Sequence, residues 1–156
     1  MPTIRIETVI EAPVHRVFDL SRSIDLHMIS TKETNEKAIA GRTSGLIELG
    51  EIVTWQAKHY GFTQNLTSKI TAFEFPNHFT DEMVNGAFKS FKHQHLFDQT
   101  GGKTLVVDIF DFESPFGLFG RLFNSLTLTD YMLKLLAKRN EVIKDFAETD
   151  KWKKVL

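Results

Sequence analysis

Apolar and polar residues alternate in seven segments of the chain, and a side-chain period of two predicts β-strands. The predicted strands cover residues 4–11, 37–39, 51–59, 62–75, 79–84, 91–98 and 105–112. Turn residues such as Asn85-Gly86 and Gly101-Gly102 separate neighbouring segments, and they favour tight hairpins. The pattern therefore predicts an antiparallel sheet of about six to seven strands.

The remaining apolar positions predict two short helices and one long helix. The short helices follow the first strand, and their apolar positions are Val14, Val17, Phe18, Ile24 and Met28. From Phe116 to Thr149 the period lengthens to about 3.6 residues, which is typical of a helix. Two adjacent stripes run along it: Leu122, Leu126, Leu133, Leu136, Ala137, Ile143 and Ala147 form one, and Leu128, Met132, Leu135, Val142 and Phe146 form the other. A face this wide predicts a helix that is covered on more than one side.

The order of these elements predicts an α+β fold of the helix-grip type. A strongly curved sheet wrapped around the long C-terminal helix buries the apolar side of both elements. The two short helices fill the gap after the first strand. No repeat, low-complexity tract or Pro/Gly/Ser-rich linker interrupts the pattern, so we expect one domain over residues 1–156.

Composition limits the classes of function. The formal charge of −1 with mixed signs gives no basic surface for nucleic acid. The absence of cysteine excludes disulfides, thiol nucleophiles and thiolate metal sites. The N-terminal segment does not resemble a signal peptide, and no run approaches the roughly 18 apolar residues of a membrane span. We therefore expect a cytoplasmic protein without stable membrane insertion.

Phenylalanine is concentrated in the middle of the chain. Twelve of the 14 Phe lie between Phe62 and Phe123, against two Trp and two Tyr in the whole sequence. Phe fills apolar volume without requiring a hydrogen-bond partner. This bias indicates either a roomy, dry interior or an ordinary Phe-rich core.

Several motifs resemble one superfamily. The segment IRIETVIEAPVHRVFDLSRSIDLH at residues 4–27 resembles the opening of the START-like superfamily, also called SRPBCC or the birch-pollen-allergen fold: a strand, a proline, then an amphipathic turn carrying Phe18. DEMVNGAFKSFKHQHLF at residues 81–97, followed by a hairpin and a strand ending in SPFG at 114–117, is similar to a bacterial ligand-binding branch of that superfamily.

The resemblance implies a helix grip over nearly the whole chain and a cavity for a small hydrophobic ligand. Lipids, isoprenoids, quinones and aromatic polyketide-like molecules are the ligand classes it implies. The superfamily also includes polyketide aromatase/cyclases and oxygenase domains, and no catalytic motif of an enzymatic branch matches this sequence. Fold resemblance alone does not assign a reaction.

The sharpest local feature is the pair His93 and His95. Residues two apart on a strand share a face, and the alternate positions are the polar Lys92 and Gln94, so we expect both imidazoles to point inward. A two-residue turn at Gly101-Gly102 pairs His95 with Asp108, and a four-residue turn pairs His93 with Asp108. In either register Asp108 shares the histidine face.

His59 and Asp81 join this group by strand parity, and three interpretations stay open. In the first, the group is a structural network whose members satisfy one another's hydrogen bonds, as buried polar groups require. In the second, it orients the polar end of a ligand. In the third, it is a metal or acid–base site, for which His-x-His with a carboxylate is a weak signal. We expect no cofactor and no resident metal.

The remaining ligand-lining candidates are large apolar side chains on the inward faces of the strands and the long helix: Trp55, Phe62, Phe79, Met83, Phe91, Phe110, Leu128, Met132 and Leu135. Their alternative interpretation is ordinary core. Residues 114–120, with Gly117 and Gly120, form either a mobile gate or an irregular helix entry. Val9, Leu105, Val107 and Ile109 are apolar on the predicted outer face, and they indicate either a homodimer patch or a wrong strand parity.

The leading hypothesis is a module that binds a small hydrophobic ligand between sheet and helix. The first alternative is a cyclase- or hydrolase-type enzyme of the same fold that uses His93 or His95 as acid or base. The second is a dimeric protein-interaction module that uses the outer strand face.

Overall fold

The strands and helices follow the order that the sequence predicts. The computed structural model describes residues 2–59, 61–86, 88–113 and 127–156, with the backbone alone at His59. The strands are β1 Thr3–Ile10, β2 Lys37–Gly41, β3 Ile52–His59, β4 Phe62–Glu74, β5 His78–Asn85, β6 Ser90–Thr100 and β7 Lys103–Glu113. The α-helices in the described ranges are α1 Val14–Ser21, α2 Ile24–Ser30 and α3 Thr129–Glu148. Short 3-10 helices cover Lys32–Thr34 and Asp150–Lys154.

The seven strands form one antiparallel sheet in the order β1-β7-β6-β5-β4-β3-β2. From β2 to β7, each strand pairs with the strand that follows it in the sequence, and the last strand, β7, also pairs with β1. Register shifts interrupt the β2–β3 and β4–β5 pairs. Such bulges bend a strand and increase its twist, which favours a curved sheet.

The α3 helix packs against β1, α1 and α2, so it lies across one face of the sheet together with the two short helices. The predicted α+β helix grip is therefore confirmed. Residues 116–126 of the predicted long helix lie outside the described ranges. The single-domain organisation remains a prediction.

The predicted apolar stripe of the helix needs a correction. Leu133 is 42% exposed, so it does not belong to the buried face. The buried positions of α3 are Leu136, Arg139, Asn140, Ile143, Phe146 and Ala147. These positions repeat at three- and four-residue steps and form one continuous face. The predicted stripes correctly included Leu136, Ile143, Phe146 and Ala147. They omitted Arg139 and Asn140 because an apolar periodicity does not indicate polar residues on the buried face.

No helix in the described part of the chain has both the length and the apolar character needed to cross a membrane.

Candidate functional site

A layer of polar side chains crosses the interior between two apolar clusters. We call it the polar layer, and its members are Asp81, His93, His95, Asp108, Arg139 and Asn140. The first apolar cluster includes Phe18, Phe79, Phe97, Val106 and Ile143. The second contains Ile4, Phe91, Phe110, Phe112 and Leu136. Each of the contributing strands β6 and β7, and helix α3, passes from one cluster to the other through the polar layer.

Strand register brings the polar layer together. The Gly101-Gly102 turn pairs Thr100 with Lys103, and this fixes His95 opposite Asp108. The two-residue alternative of the sequence analysis is therefore the correct one. On the other side, β5 places Asp81 opposite His93. Both histidines point inward as predicted.

Most of the charged side chains of the polar layer are almost completely buried. His93 is 6% exposed, His95 3% and Asp108 1%. Ionised groups that leave water lose a hydration energy of several kcal/mol each, unless pairing and hydrogen bonds replace it. The layer is therefore stable only if its members satisfy one another.

Asp108 is the centre of the hydrogen-bond network. Its Oδ1 lies 2.8 Å from Nε2 of His93. Its Oδ2 accepts a hydrogen bond of 2.6 Å from Nδ2 of Asn140, and the same Asn140 amide reaches the hydroxyl of Thr8 at 3.1 Å. Asp108 thus joins strands β6 and β7 to helix α3, and Asn140 extends the network to strand β1.

His95 bridges the two carboxylates. Its Nε2 lies 2.7 Å from Oδ1 of Asp81. Its Nδ1 lies 3.3 Å from Oδ1 of Asp108, but the geometry is too poor for a hydrogen bond, so this buried nitrogen has no hydrogen-bond partner among the described residues. The His95 ring stacks between Phe79, at a centroid distance of 4.1 Å, and His93, at 3.7 Å.

The pKa values of the two histidines are shifted in opposite directions. Burial lowers the pKa of His93, and the adjacent charge of His95 lowers it further, so the hydrogen bond to Asp108 does not compensate. Burial also opposes the charged form of His95, but Asp108 and Asp81 outweigh it and raise the pKa of His95. At neutral pH this favours a neutral His93 beside a protonated His95.

The pKa values of both carboxyls are low for the complementary reason. Burial alone would raise the pKa of Asp108, yet the hydrogen bond from His93 and the nearby imidazole of His95 hold it well below its usual value. Burial likewise opposes ionisation of Asp81, and the hydrogen bond from His95 lowers its pKa overall. Two carboxylates then face two cations, His95 and Arg139, and the layer is electrically balanced.

Arg139 and Asn140 are the functional candidates that the sequence analysis missed. Nη2 of Arg139 donates 2.7 Å to the carbonyl of Ser21, and its Nη1 lies 4.0 Å from Oδ1 of Asp108. The available signal was their place on the helical stripe, at steps of three and four residues from Leu136 and Ile143. Polar residues at core positions of a helix indicate buried hydrogen-bond partners.

A cavity of about 80 Å³ opens beside the polar layer. Polar side chains on its wall include Ser68, Asp81, His93, His95 and Arg139, and apolar ones include Ile24, Ile47, Val53, Trp55, Ile70 and Phe79. His27, whose ring lies 4.2 Å from that of Trp55, lines it as well. Sites for drug-sized ligands typically measure about 300–1,000 Å³, so this cavity accommodates an ion, a few waters or one end of a larger molecule.

The structure divides the predicted ligand-lining residues into separate groups. Trp55 and Phe79 line the cavity together with Asp81, His93 and His95. Phe91 and Phe110 belong to the second apolar cluster, against which Met83, Leu128 and Met132 pack, and these five are not among the residues lining this cavity. Asp108 and Leu135 do not line this cavity either: Asp108 is fully buried, and Leu135 is half-buried on α3.

Phe62 and His59 are two further residues that the sequence places at the site. Phe62 starts β4 on the same face as Ile70, but its side chain is 71% exposed, because it lies at the very end of the strand. It does not line the cavity. The side chain of His59 and the suggested gate at residues 114–120 lie outside the described part of the chain. Both remain predictions.

The predicted parity of the last strand is correct. Thr104, Val106, Asp108, Phe110 and Phe112 are buried, and the alternate residues Leu105, Val107 and Ile109 are half-buried. Val9, paired with Leu105, is 52% exposed. These residues form the apolar strip of the outer face, and the homodimer remains a prediction.

Comparisons with known proteins identify the fold and nothing narrower. No protein-family model matches the chain, and no curated protein matches it either. Among solved structures, the protein TTHA0849 from Thermus thermophilus is similar, with 22% identity, 91% of this chain and 97% of that one covered, and a TM-score of 0.71.

Two further structures agree with this. The ginseng major latex-like protein 151 from Panax ginseng is 18% identical over 95% of this chain and 98% of that one, with a TM-score of 0.69. Protein CV1439 from Chromobacterium violaceum is 10% identical over 95% and 98% respectively, with a TM-score of 0.71. The chain therefore has the helix-grip fold that its sequence resembles, and membership of a bacterial branch remains a prediction.

Proposed function

We propose that this protein binds a small, largely apolar molecule in the cavity between the sheet and helix α3, with a polar group of that molecule placed against the polar layer. The observation that carries the proposal is the composition of the cavity wall. Apolar side chains such as Trp55 and Ile70 face the same space as Asp81, His93 and His95. Binding sites commonly combine an apolar wall with a few convergent polar groups.

The polar layer has hydrogen-bonding capacity left for a ligand. Asp81 engages His95 through Oδ1, and its side chain is 19% exposed. His93 engages Asp108 through Nε2, which leaves Nδ1 without a hydrogen-bond partner among the described residues. A hydroxyl or amide group that donates a hydrogen bond therefore complements these acceptors. Lipids, isoprenoids, quinols and aromatic polyketide-like molecules include compounds with such a group.

Cavity size sets a requirement for the complex. About 80 Å³ contains only part of a lipid or polycyclic molecule, so side chains along the gap between sheet and helix must move when one binds. Trp55 and His27 lie at the cavity wall with their ring centroids 4.2 Å apart, and their separation would enlarge the space. We expect a larger cavity in the complex than in the free protein.

Native mass spectrometry against a panel of lipids, quinols and aromatic polyketide-like compounds tests the proposal. We expect the wild-type protein to bind one molecule per chain. A His93→Gln/His95→Gln double variant should bind it at least about tenfold more weakly, which is equivalent to about 1.4 kcal/mol. Gln94→Ala is the matched control, because Gln94 lies between them on the opposite face of β6. Absence of binding across the panel, or equal binding by wild type and the double variant, would contradict the proposal.

An acid–base enzyme is the second candidate, and one observation favours it. His93 is held by Asp108 at 2.8 Å, and its lowered pKa leaves a neutral imidazole beside the cavity, as a general base requires. In an enzyme, the same double variant would lose turnover while it retained ligand affinity. In a binding module it would lose affinity.

A further inference from the structure

Asp81, His93 and His95 converge on one point beside the cavity. Each offers one side-chain ligand atom, and the three atoms all lie within 4.8 Å of one another. Two come from neighbouring positions on one face of β6, and the third comes from the paired strand β5. Two imidazoles with one carboxylate form a donor set that suits first-row divalent transition metals.

Asp108 supplies the outer partner that metal-binding histidines usually have. A coordinating histidine commonly donates its second ring N–H to a carboxylate, which fixes the ring and its tautomer. Nε2 of His93 already lies 2.8 Å from Oδ1 of Asp108, and this arrangement leaves Nδ1 of His93 for a ligand. Asn140 holds Asp108 in place at 2.6 Å.

The buried Nδ1 of His95 gains a role in the same arrangement. In the described part of the chain it has no hydrogen-bond partner, although it lies only 3.3 Å from Oδ1 of Asp108. If Nε2 of His95 coordinated an ion, the proton on Nδ1 would be available for donation to Asp108 after a small rotation of the ring. One carboxylate would then orient both imidazoles.

Space and charge are compatible with a cation. All three residues line the cavity of about 80 Å³, which leaves room for further ligands on the ion. Asp81 and Asp108 carry two negative charges, whereas Arg139 carries one positive charge 4.0 Å from Asp108. A bound ion would replace the proton shared by His95 and Asp81, and that proton would leave to solvent. The two rings, stacked at 3.7 Å with an angle of 28°, must turn apart so that both lone pairs meet the ion.

We propose that Asp81, His93 and His95 form a binding site for a first-row divalent transition metal ion, with Asp108 as the hydrogen-bond acceptor of both coordinated imidazoles. The site does not depend on the proposed apolar ligand. It corresponds to the metal interpretation of the His-x-His pair with a carboxylate. The structure adds the distances that bring Asp81 and both histidines together, and the hydrogen bond between His93 and Asp108.

Titration of the full-length, chelator-treated protein with Co²⁺ tests the site directly. We expect saturation at one ion per chain, a visible ligand-field absorption band of a nitrogen–oxygen site, and displacement of Co²⁺ by Zn²⁺. Absence of saturable binding, or a spectrum identical to that of hydrated Co²⁺, would overturn the proposal.

Variants separate the ligands from the outer carboxylate. Asp81→Asn and His93→Gln each remove or weaken one ligand, and we expect Co²⁺ affinity to fall by about a hundredfold or more. Asp108→Asn leaves all three ligands and should weaken binding by about 10–100-fold with unchanged stoichiometry, as is typical of outer-shell partners. His78→Gln is the control, since His78 pairs with Glu74 at the surface, and its affinity should equal that of wild type.

A variant-free measurement covers the case in which a substituted chain does not fold. In wild-type protein, addition of Zn²⁺ should shift the imidazole NMR signals of His93 and His95 and leave those of His78 unchanged. Equal Co²⁺ affinity in folded wild type, Asp81→Asn and His93→Gln, or Zn²⁺-induced shifts confined to other histidines, would overturn the assignment.

Discussion

Asn140 on helix α3 donates a hydrogen bond of 2.6 Å to Oδ2 of Asp108 on strand β7. The two residues are 4% and 1% exposed, so the bond lies in the interior, where the helix crosses the sheet. It fixes the carboxylate that in turn contacts His93 and His95. The orientation of both imidazoles therefore depends on a side chain from the helix.

We predict that Asn140→Ala destabilises the fold by about 1–3 kcal/mol, because it leaves a buried carboxylate oxygen without its donor. Chemical denaturation with urea measures this loss. The control is Lys138→Ala on the exposed side of the same helix, which should change stability by less than about 0.5 kcal/mol. Equal effects of the two substitutions would contradict the central position of Asn140.

Replacement of Asp108 should be more damaging. Asp108→Ala removes the carboxylate that faces His93, His95 and Arg139, and it leaves buried cationic groups uncompensated. Removal of one partner from a buried ion pair typically costs about 3–5 kcal/mol. Thermal unfolding should show a lower Tm than for Asp111→Ala, a substitution on the opposite face of the same strand. A loss below about 1 kcal/mol would indicate that the layer is not coupled as described.

Stability should depend on pH through His95. The pKa of His95 is raised in the folded protein, so the stability it contributes is fully present below its unfolded value of about 6.5. That contribution is lost as the pH rises through the pKa that His95 has in the folded protein. In chelator-treated protein, wild type should lose stability between about pH 6.5 and the folded pKa, and His95→Gln should not show this loss.

The buried carboxyl groups determine how stability changes at acid pH. The pKa values of Asp81 and Asp108 are lowered, so their contribution is present above the unfolded value of about 3.9 and is lost as the pH falls through the folded values. The lowered pKa of His93 adds a loss in the same direction, starting near about pH 6.5. Urea denaturation at a series of pH values should give a less acid-sensitive stability for His93→Gln. An unchanged acid slope would contradict a neutral, buried His93.

Two phenylalanines provide a matched test of the interior. Phe18 on α1 is fully buried and makes ring contacts with Phe73, Phe75, Phe79 and Phe97. Phe18→Ala should cost about 3–5 kcal/mol, as large-to-small core substitutions do. Phe62→Ala, at a 71% exposed position, should change stability by less than about 0.5 kcal/mol. Similar losses from both would contradict the assigned burial.

Local sequence rules predicted the parts of the site that lie on strands. Alternation and the two-residue turn at Gly101-Gly102 determine which face carries His93, His95 and Asp108, because a strand has a strict period of two. The aromatic candidates were harder. Trp55 and Phe91 have the same inward parity, but one lines the cavity and the other packs in the second apolar cluster. That difference depends on how the sheet curves, which alternation does not specify.

Arg139 and Asn140 were not predicted for a different reason. A search for apolar residues at helical spacing skips polar positions, even when those positions lie on the buried face. Their burial is explained only once Asp108 and the carbonyl of Ser21 are in place to accept their hydrogen bonds. The partners are distant along the chain, so the tertiary fold alone brings them together.

Fluorescence of Trp55 tests the central claim, that a small molecule binds at the polar layer, most directly. The chain has two tryptophans, so Trp152→Phe leaves Trp55, on the cavity wall, as the single reporter. Titration with a compound retained in native mass spectrometry should change Trp55 emission saturably, with one molecule per chain, and a His93→Gln/His95→Gln background should weaken this response. Saturable binding that leaves Trp55 emission unchanged, or an equal response in both backgrounds, would contradict the account.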